Sequence, residues 1–447
     1  MPWASLFIAF AFIVLPELTF GQTTTFSLTS STAAPSQAAP ARPAAPSPGQ
    51  QYSVPARVIT LDEAISLALA NSPSIKATRT QILQNQAQEI TAGLRPNPVL
   101  GGDSQFIPFF NPGQFSQDVE QYDIGLGYTF ERGGKRHRRL QAARDQTAVT
   151  RAQVADAERT LTFNVAQQFI NVLLAKSNLE FAEDALKSFQ QTVEISELRY
   201  KAGDISEGDY LKIKLQLLQF QTDVSSARVA KVQALGSLRQ LIGYAALPRD
   251  FDVGGDLAYQ PLTAKLEDLQ AKALNERPDL RAAQQGIVAA RSQVSLAQAN
   301  GKQDVTLTTN YSHTPGLHSL SWFLSMPLPI FDRNQGEIAR TRFAATQSEL
   351  TARAAEDTVM TDVINAYEAV MTNQQVVQLY TSGYLKQAQD SRDISAYAYK
   401  AGAATLLDFL DAERSYRSTQ LAYRQSLAAY MLSLEQLRQA VGTRSLP

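Results

Sequence analysis

Two four-residue stretches constrain this chain more than any other feature. Tyr200-Lys201-Ala202-Gly203 recurs as Tyr399-Lys400-Ala401-Gly402, 199 residues later. Each lies between two long segments with helical periodicity. A glycine there suits the left-handed backbone position that ends a helix and reverses the chain. Leu238-Arg239-Gln240-Leu241-Ile242-Gly243 returns as Leu437-Arg438-Gln439-Ala440-Val441-Gly442 at the same spacing. Phe130-Glu131-Arg132 answers Phe331-Asp332-Arg333, and Ala70-Asn71-Ser72-Pro73 answers Asn275-Glu276-Arg277-Pro278. Landmarks in one order along both halves identify an internal duplication. The first repeat spans residues 58–247, a connector 248–262, and the second repeat 263–443.

No proline occurs from Gly133 to Tyr200 or from Asn334 to Tyr399. Each stretch predicts a helix of about 65 residues, roughly 100 Å long at 1.5 Å per residue. That is far beyond ordinary globular helices and implies a coiled coil or a helical tube. Tyr210, Ile213, Leu217, Phe220, Val224 and Ala227 alternate spacings of three and four, a heptad seam. Leu161, Val165, Phe169, Val172, Leu179, Leu186, Phe189 and Val193 supply the facing stripe. Shorter helices are expected from Leu61 to Ala70, and from Pro73 to about Gly93.

Between these rods the period changes from helical to two. Tyr122, Ile124, Leu126, Tyr128 and Phe130 alternate with Asp123, Gly125, Gly127 and Thr129. Val305, Leu307, Thr309 and Tyr311 do the same, as do Leu320, Trp322, Leu324 and Met326. A further strand end is expected at Phe106 to Phe110, before the Asn111-Pro112-Gly113 loop. Each repeat thus contributes one hairpin with an apolar and a polar face. Apolar-out, polar-in strands with interfacial Trp and Tyr suit an outer-membrane barrel, but such barrels need about eight strands. A small soluble sheet packed on helices is the other reading; if the strands belong to a membrane barrel, several chains must share it.

The N-terminus supports export. Residues 1–21 resemble a signal peptide, and 22–57, rich in Ala, Pro, Ser and Thr, read as a disordered linker. The chain has no cysteine, three histidines and a formal net charge of −1. Disulfides, thiolate metal sites and cysteine nucleophiles are excluded, and no field favours nucleic acid. No catalytic constellation, metal cluster or cofactor motif can be assembled, so no enzyme is expected.

The chain resembles the TolC family of outer-membrane efflux proteins, over nearly everything after residue 58. The resemblance rests on Ile59-Thr60-Leu61-Asp62-Glu63-Ala64, the helix-strand-strand-helix-helix halves, the two Tyr-Lys-Ala-Gly tips and Asp408-Phe409-Leu410-Asp411-Ala412. Arg95-Pro96-Asn97-Pro98 and Pro327-Leu328-Pro329-Ile330-Phe331-Asp332-Arg333 look most like its CzcC-type branch, associated with heavy-metal export. The resemblance implies a mixed, mainly α fold: a long-helix periplasmic α-barrel plus four strands of a shared trimeric transmembrane β-barrel. It implies a homotrimer in the outer membrane, in contact with its lipid and extending into the periplasm. A periplasmic adaptor and an inner-membrane pump would complete a tripartite efflux system. Aperture residues are then expected at Asp408, Asp411 and Tyr399, with Asp209 as the first-half counterpart. Lys201, Gly203, Asp204, Lys400, Gly402 and Thr405 are the expected adaptor contacts. A carboxylate in a first helical turn also serves the helix dipole, and the tips also simply turn the chain. The arginine that some family members place near the second tip has no counterpart, since Ala404 stands there. A secretion or multidrug exit channel is the alternative within the class. A soluble periplasmic coiled-coil adaptor is the alternative outside it, and leaves the aromatic strands unexplained.

Overall fold

A computed structural model describes residues 57–105 and 121–445. The expected signal peptide, the linker up to residue 56 and the strand end at Phe106 to Phe110 lie outside the described residues. The element order repeats once. The first half runs β1 (Arg57–Ile59), α1 (Leu61–Asn71), α2 (Pro73–Gly93), β2 (Val99–Gln105), β3 (Gln121–Phe130), α3 (Lys135–Ala202) and α4 (Glu207–Ile242). The connector holds β4 (Phe251–Val253). The second half runs α5 (Leu266–Glu276), α6 (Pro278–Asn300), β5 (Val305–Thr314), β6 (Leu317–Ser325), α7 (Gln335–Leu379), α8 (Leu385–Lys400) and α9 (Leu406–Val441).

Helix α3 is a continuous rod of 68 residues. It ends at Gly203, whose φ of +85° suits a residue without Cβ, and reverses into α4. The heptad seam is the packed face: Ile213 and Phe220 of α4 are buried, as are Val165, Phe169, Val172 and Phe189 of α3. The second rod departs from expectation. It is α7, then one π-type turn (Tyr380–Tyr384), then α8. Gly383, at φ +144°, leaves helical geometry inside that turn, a conformation open to glycine. Gly402 (φ +75°) then turns the chain into α9.

The strands form one sheet in the order β2-β3-β5-β6, all antiparallel, so β3 and β5 join the two repeats. Tyr122, Ile124, Leu126 and Phe130 share an exposed face with Leu307, Tyr311, Leu320, Trp322 and Leu324. The other face carries Asp123, Thr129, Thr306, Thr308, Asn310 and Ser312, with Val99, Leu317 and Phe323 as apolar exceptions. From Tyr122 to Phe130 the strand covers about 27 Å, near the ~25 Å apolar band of outer-membrane barrels. Among the described residues no helix is long and apolar enough to cross a membrane.

The basic run at the start of α3 pins the sheet to the rods. Lys135 Nζ lies 2.8 Å from Asp304, Arg139 pairs with Glu131 at 2.5 Å, and Arg136 donates to the Gly93 carbonyl. Three of the five basic residues of the run are therefore tied within the chain, while His137 and Arg138 are exposed.

Two equivalent cores lie where the short helices meet the rods. One holds Ile59, Ile65, Phe169, Val172, Leu238 and Ile242; the other holds Leu269, Leu280, Val363, Val370, Tyr430 and Leu437. The connector, expected to be irregular, contributes β4, which pairs in parallel with β1. Arg57, assigned to the linker by sequence, opens β1 for the same reason: its backbone is paired. The duplicated motif ending in Gly243 and Gly442 closes each core. A Cβ on Gly442 would stand 3.2 Å from Arg277 Cα, and one on Gly243 3.3 Å from the Asn71 carbonyl. The Arg277 side chain is buried and bridges Asp279 (2.5 Å) and Asp362 (2.9 Å).

Candidate functional site

The expected aperture residues sit where α3–α4 and α8–α9 turn. Their local chemistry is that of helix starts. Ser206 caps α4, accepting from the Asp209 N–H at 3.1 Å, and Asp209 reaches Lys212 Nζ at 3.3 Å. Thr405 caps α9 and accepts from the Asp408 N–H at 3.2 Å, while Asp408 Oδ2 accepts from the Thr405 N–H at 3.2 Å and its hydroxyl at 2.7 Å. That reciprocal box satisfies helix donors otherwise left open. Asp209 and Asp408 therefore hold the same position after their caps, with the reciprocal box present at Asp408 and an ion pair to Lys212 at Asp209. Asp411 is exposed and lines a cleft of about 710 Å³ between α4 and α9, with Lys212, Gln216, Gln219 and Arg414. Lys201, Gly203, Asp204, Lys400, Gly402 and Thr405 are all exposed at the two turns.

Tyr399 is placed differently from the acids. Its ring is 6% exposed and stacks on Phe409 at 5.4 Å. Phe409 faces Phe189, which stacks on Phe220 at 4.4 Å. These rings come from α3, α4, α8 and α9, so the two hairpins share one small core. Each buried ring contributes about 1.5–3 kcal/mol by burial. The Tyr399 hydroxyl is buried without a hydrogen-bond partner among the described residues.

Arg199 ties the same seam. Its Nη1 donates to the Tyr399 carbonyl at 2.8 Å, and its guanidinium lies 5.4 Å from the Tyr399 ring centroid. The second turn itself carries Ala404 where a tethering arginine would stand. The structure supplies one from the first hairpin. The signal was available, because Arg199 occupies the repeat position held by Ala398 in the second half.

One layer further into the rods, charges bridge the hairpins. Arg417 of α9 pairs with Asp223 of α4 and lies 4.1 Å over Phe220. Arg392 of α8 lies 4.5 Å over Tyr416. Burial pushes the nearby Glu413 carboxyl above its ordinary range; Arg392 and Arg417 oppose the shift and Asp393 adds to it. Among the described residues no three His, Cys, Asp or Glu side chains are grouped to hold a metal.

Comparisons with known proteins cover most of the chain. The family model "Outer membrane efflux protein" matches residues 64–244 and 269–443. The chain is 22% identical to the cobalt-zinc-cadmium resistance protein CzcC of Cupriavidus metallidurans, over 82% of this chain and 85% of that protein. It is 26% identical to the pyoverdine export outer membrane protein OpmQ of Pseudomonas aeruginosa, over 86% and 83%. Among solved structures, CusC superposes with a TM-score of 0.71 at 20% identity, covering 86% of this chain and 92% of that one. The open-state MtrE outer membrane channel of Neisseria gonorrhoeae superposes at 0.71 and 21% identity, covering 86% and 89%.

Proposed function

Since the chain belongs to the outer membrane efflux protein family, we propose that three copies wall in one exit duct, each adding its four strands to a twelve-stranded barrel. The observation that carries this is the sheet β2-β3-β5-β6. It has one exposed apolar face, one polar face, and open edges at β2 and β6 among the described residues. Such edges are a liability unless another chain pairs with them. The rods continue the wall away from the sheet, and the two hairpin turns form its far mouth.

At that mouth, threefold symmetry turns Asp408, Asp411 and Asp209 into rings of carboxylate that favour cations. Tyr399 acts from behind, as part of the seam that positions the rings. The exposed turns, Lys201, Gly203 and Asp204 with Lys400, Gly402 and Thr405, are the surfaces offered to a periplasmic adaptor. That adaptor would link the duct to an inner-membrane pump, which supplies the energy. The cargo is cations or small molecules, in keeping with relatives named for cobalt, zinc and cadmium resistance and for pyoverdine export. Sensitivity of a deletion strain to metal salts or to organic toxins separates the two.

Conductance of the purified protein in planar bilayers tests the aperture. Asp408→Asn with Asp411→Asn keeps a capping oxygen on α9 while removing the charge. Cation preference should fall in that double variant. Selectivity and conductance equal to those of the parent would remove these residues from the aperture.

A further inference from the structure

Two of the three histidines in the chain face each other at the far end of the sheet. His313 of β5 and His318 of β6 are register partners, one step from the Thr314–Leu317 pair that flanks the Pro315-Gly316 turn. In a two-residue hairpin the flanking pair is hydrogen-bonded, so the next is a non-hydrogen-bonded pair. Side chains there approach most closely. Their Nδ1 atoms are 3.2 Å apart and the ring centroids 4.7 Å. The Tyr311 hydroxyl is 2.6 Å from the same His318 Nδ1.

We propose that His313 and His318 chelate a first-row transition-metal ion, with zinc(II), copper(II) and nickel(II) as the fitting class. The argument is one of bite. Two imidazole nitrogens bound at about 2.0–2.1 Å lie about 3.3 Å apart at a tetrahedral angle and about 2.9 Å at a square-planar one. The observed 3.2 Å falls between those limits. Without a metal, His318 Nδ1 has two neighbours at hydrogen-bond distance, the Tyr311 hydroxyl and His313 Nδ1, and in either tautomer it offers them only one lone pair or one proton. A metal between the rings satisfies both nitrogens and leaves its other positions to water and the Tyr311 oxygen. Nitrogen donors without thiolates suit zinc, copper and nickel better than calcium or magnesium.

The site lies on the apolar face of the sheet, one step beyond Tyr311 and level with Tyr122. That is the rim of the membrane-facing band, not the polar face. A bound ion there would staple the β5–β6 turn without standing in the path of cargo. The inference is independent of which cargo the duct carries and of the carboxylate rings.

Equilibrium dialysis of the detergent-solubilised full chain against nickel(II) or copper(II) tests it. One ion per chain is expected, with a two-nitrogen hyperfine pattern in the copper(II) electron paramagnetic resonance spectrum. Zinc(II) should protect His313 and His318, and leave His137 open, to diethyl pyrocarbonate. His313→Asn and His318→Asn should each abolish binding and protection, and His137→Asn should retain both. Heat-dependent gel mobility verifies that each variant is folded. Equal metal uptake by the His313→Asn/His318→Asn double variant, or no uptake by the parent, would overturn the assignment.

Discussion

Removing the Arg199 guanidinium should loosen the two hairpin turns from each other. A hydrogen bond from a charged donor contributes about 1.5–3 kcal/mol, and a partly exposed guanidinium over an aromatic ring about 0.5–1 kcal/mol. The Tyr399 carbonyl also accepts from the Gly402 N–H at 3.1 Å, so Arg199→Ala leaves that oxygen partnered. The penalty of a buried orphan acceptor is then absent, which sets the loss near about 2 kcal/mol per chain. That changes the ratio of tied to untied turns by a factor of about 30. If three chains move together, about 6 kcal/mol is at stake. The chain has no native cysteine, so nitroxide labels on Ala202→Cys and Ala403→Cys report the distance between turns without background. Arg199→Ala should broaden and lengthen that distribution and raise the open lifetime in planar bilayers. Arg199→Lys, which keeps a donor but loses the planar fork, should fall between. If distance distribution and conductance in both variants matched the parent, the seam would not be held by this residue.

Three further outcomes follow from the geometry. Burial raises Glu413, with Arg392 and Arg417 opposing, so the folded chain holds this proton more tightly than the unfolded one. Its contribution to stability is full below the ordinary carboxylate range and is lost as pH rises through the raised value; Glu413→Gln should flatten that pH slope in thermal melts. Arg277→Met strands Asp279 and Asp362 and should cost about 3 kcal/mol, the low end for a broken buried pair because both acids are partly solvated; an unchanged denaturation midpoint would count against the bridge. Gly442→Ala forces a Cβ into a backbone at φ +85° and against Arg277, and should cost more than the ~1–2 kcal/mol of the left-handed conformation alone, read from the same melts.

Much of the fold was legible because it rests on periodicity. The seam Ile213, Phe220, Val224 is buried as its spacing required, and the period-two runs became β3, β5 and β6. The break at Gly383 was not read, yet the duplication carries a trace of it. The offset between repeats is 201 at Phe130 and Phe331 but 199 at Tyr200 and Tyr399. Two residues fewer turn a helix face by about 200°, and the π-type turn falls between those landmarks. Partners from distant segments were invisible for a different reason. Nothing in the Arg199 neighbourhood names Tyr399, and His313 meets His318 only once the hairpin register is set. The role of Asp408 stayed open in sequence because a first-turn carboxylate serves cap and aperture alike, and the box with Thr405 shows the first of these.

The small parallel ribbon of β1 and β4 has a consequence for how the molecule comes into being. Arg57–Ile59 can find their berth only after a segment almost two hundred positions downstream has been made and delivered. Closing so long a loop is slow and must await other contacts that hold its ends near each other. A stretch made early is thus among the last to be fastened, like a belt buckled after the garment is on. Ile59 is fully buried in the finished fold, and a chaperone that shields this segment through that interval would serve this architecture well.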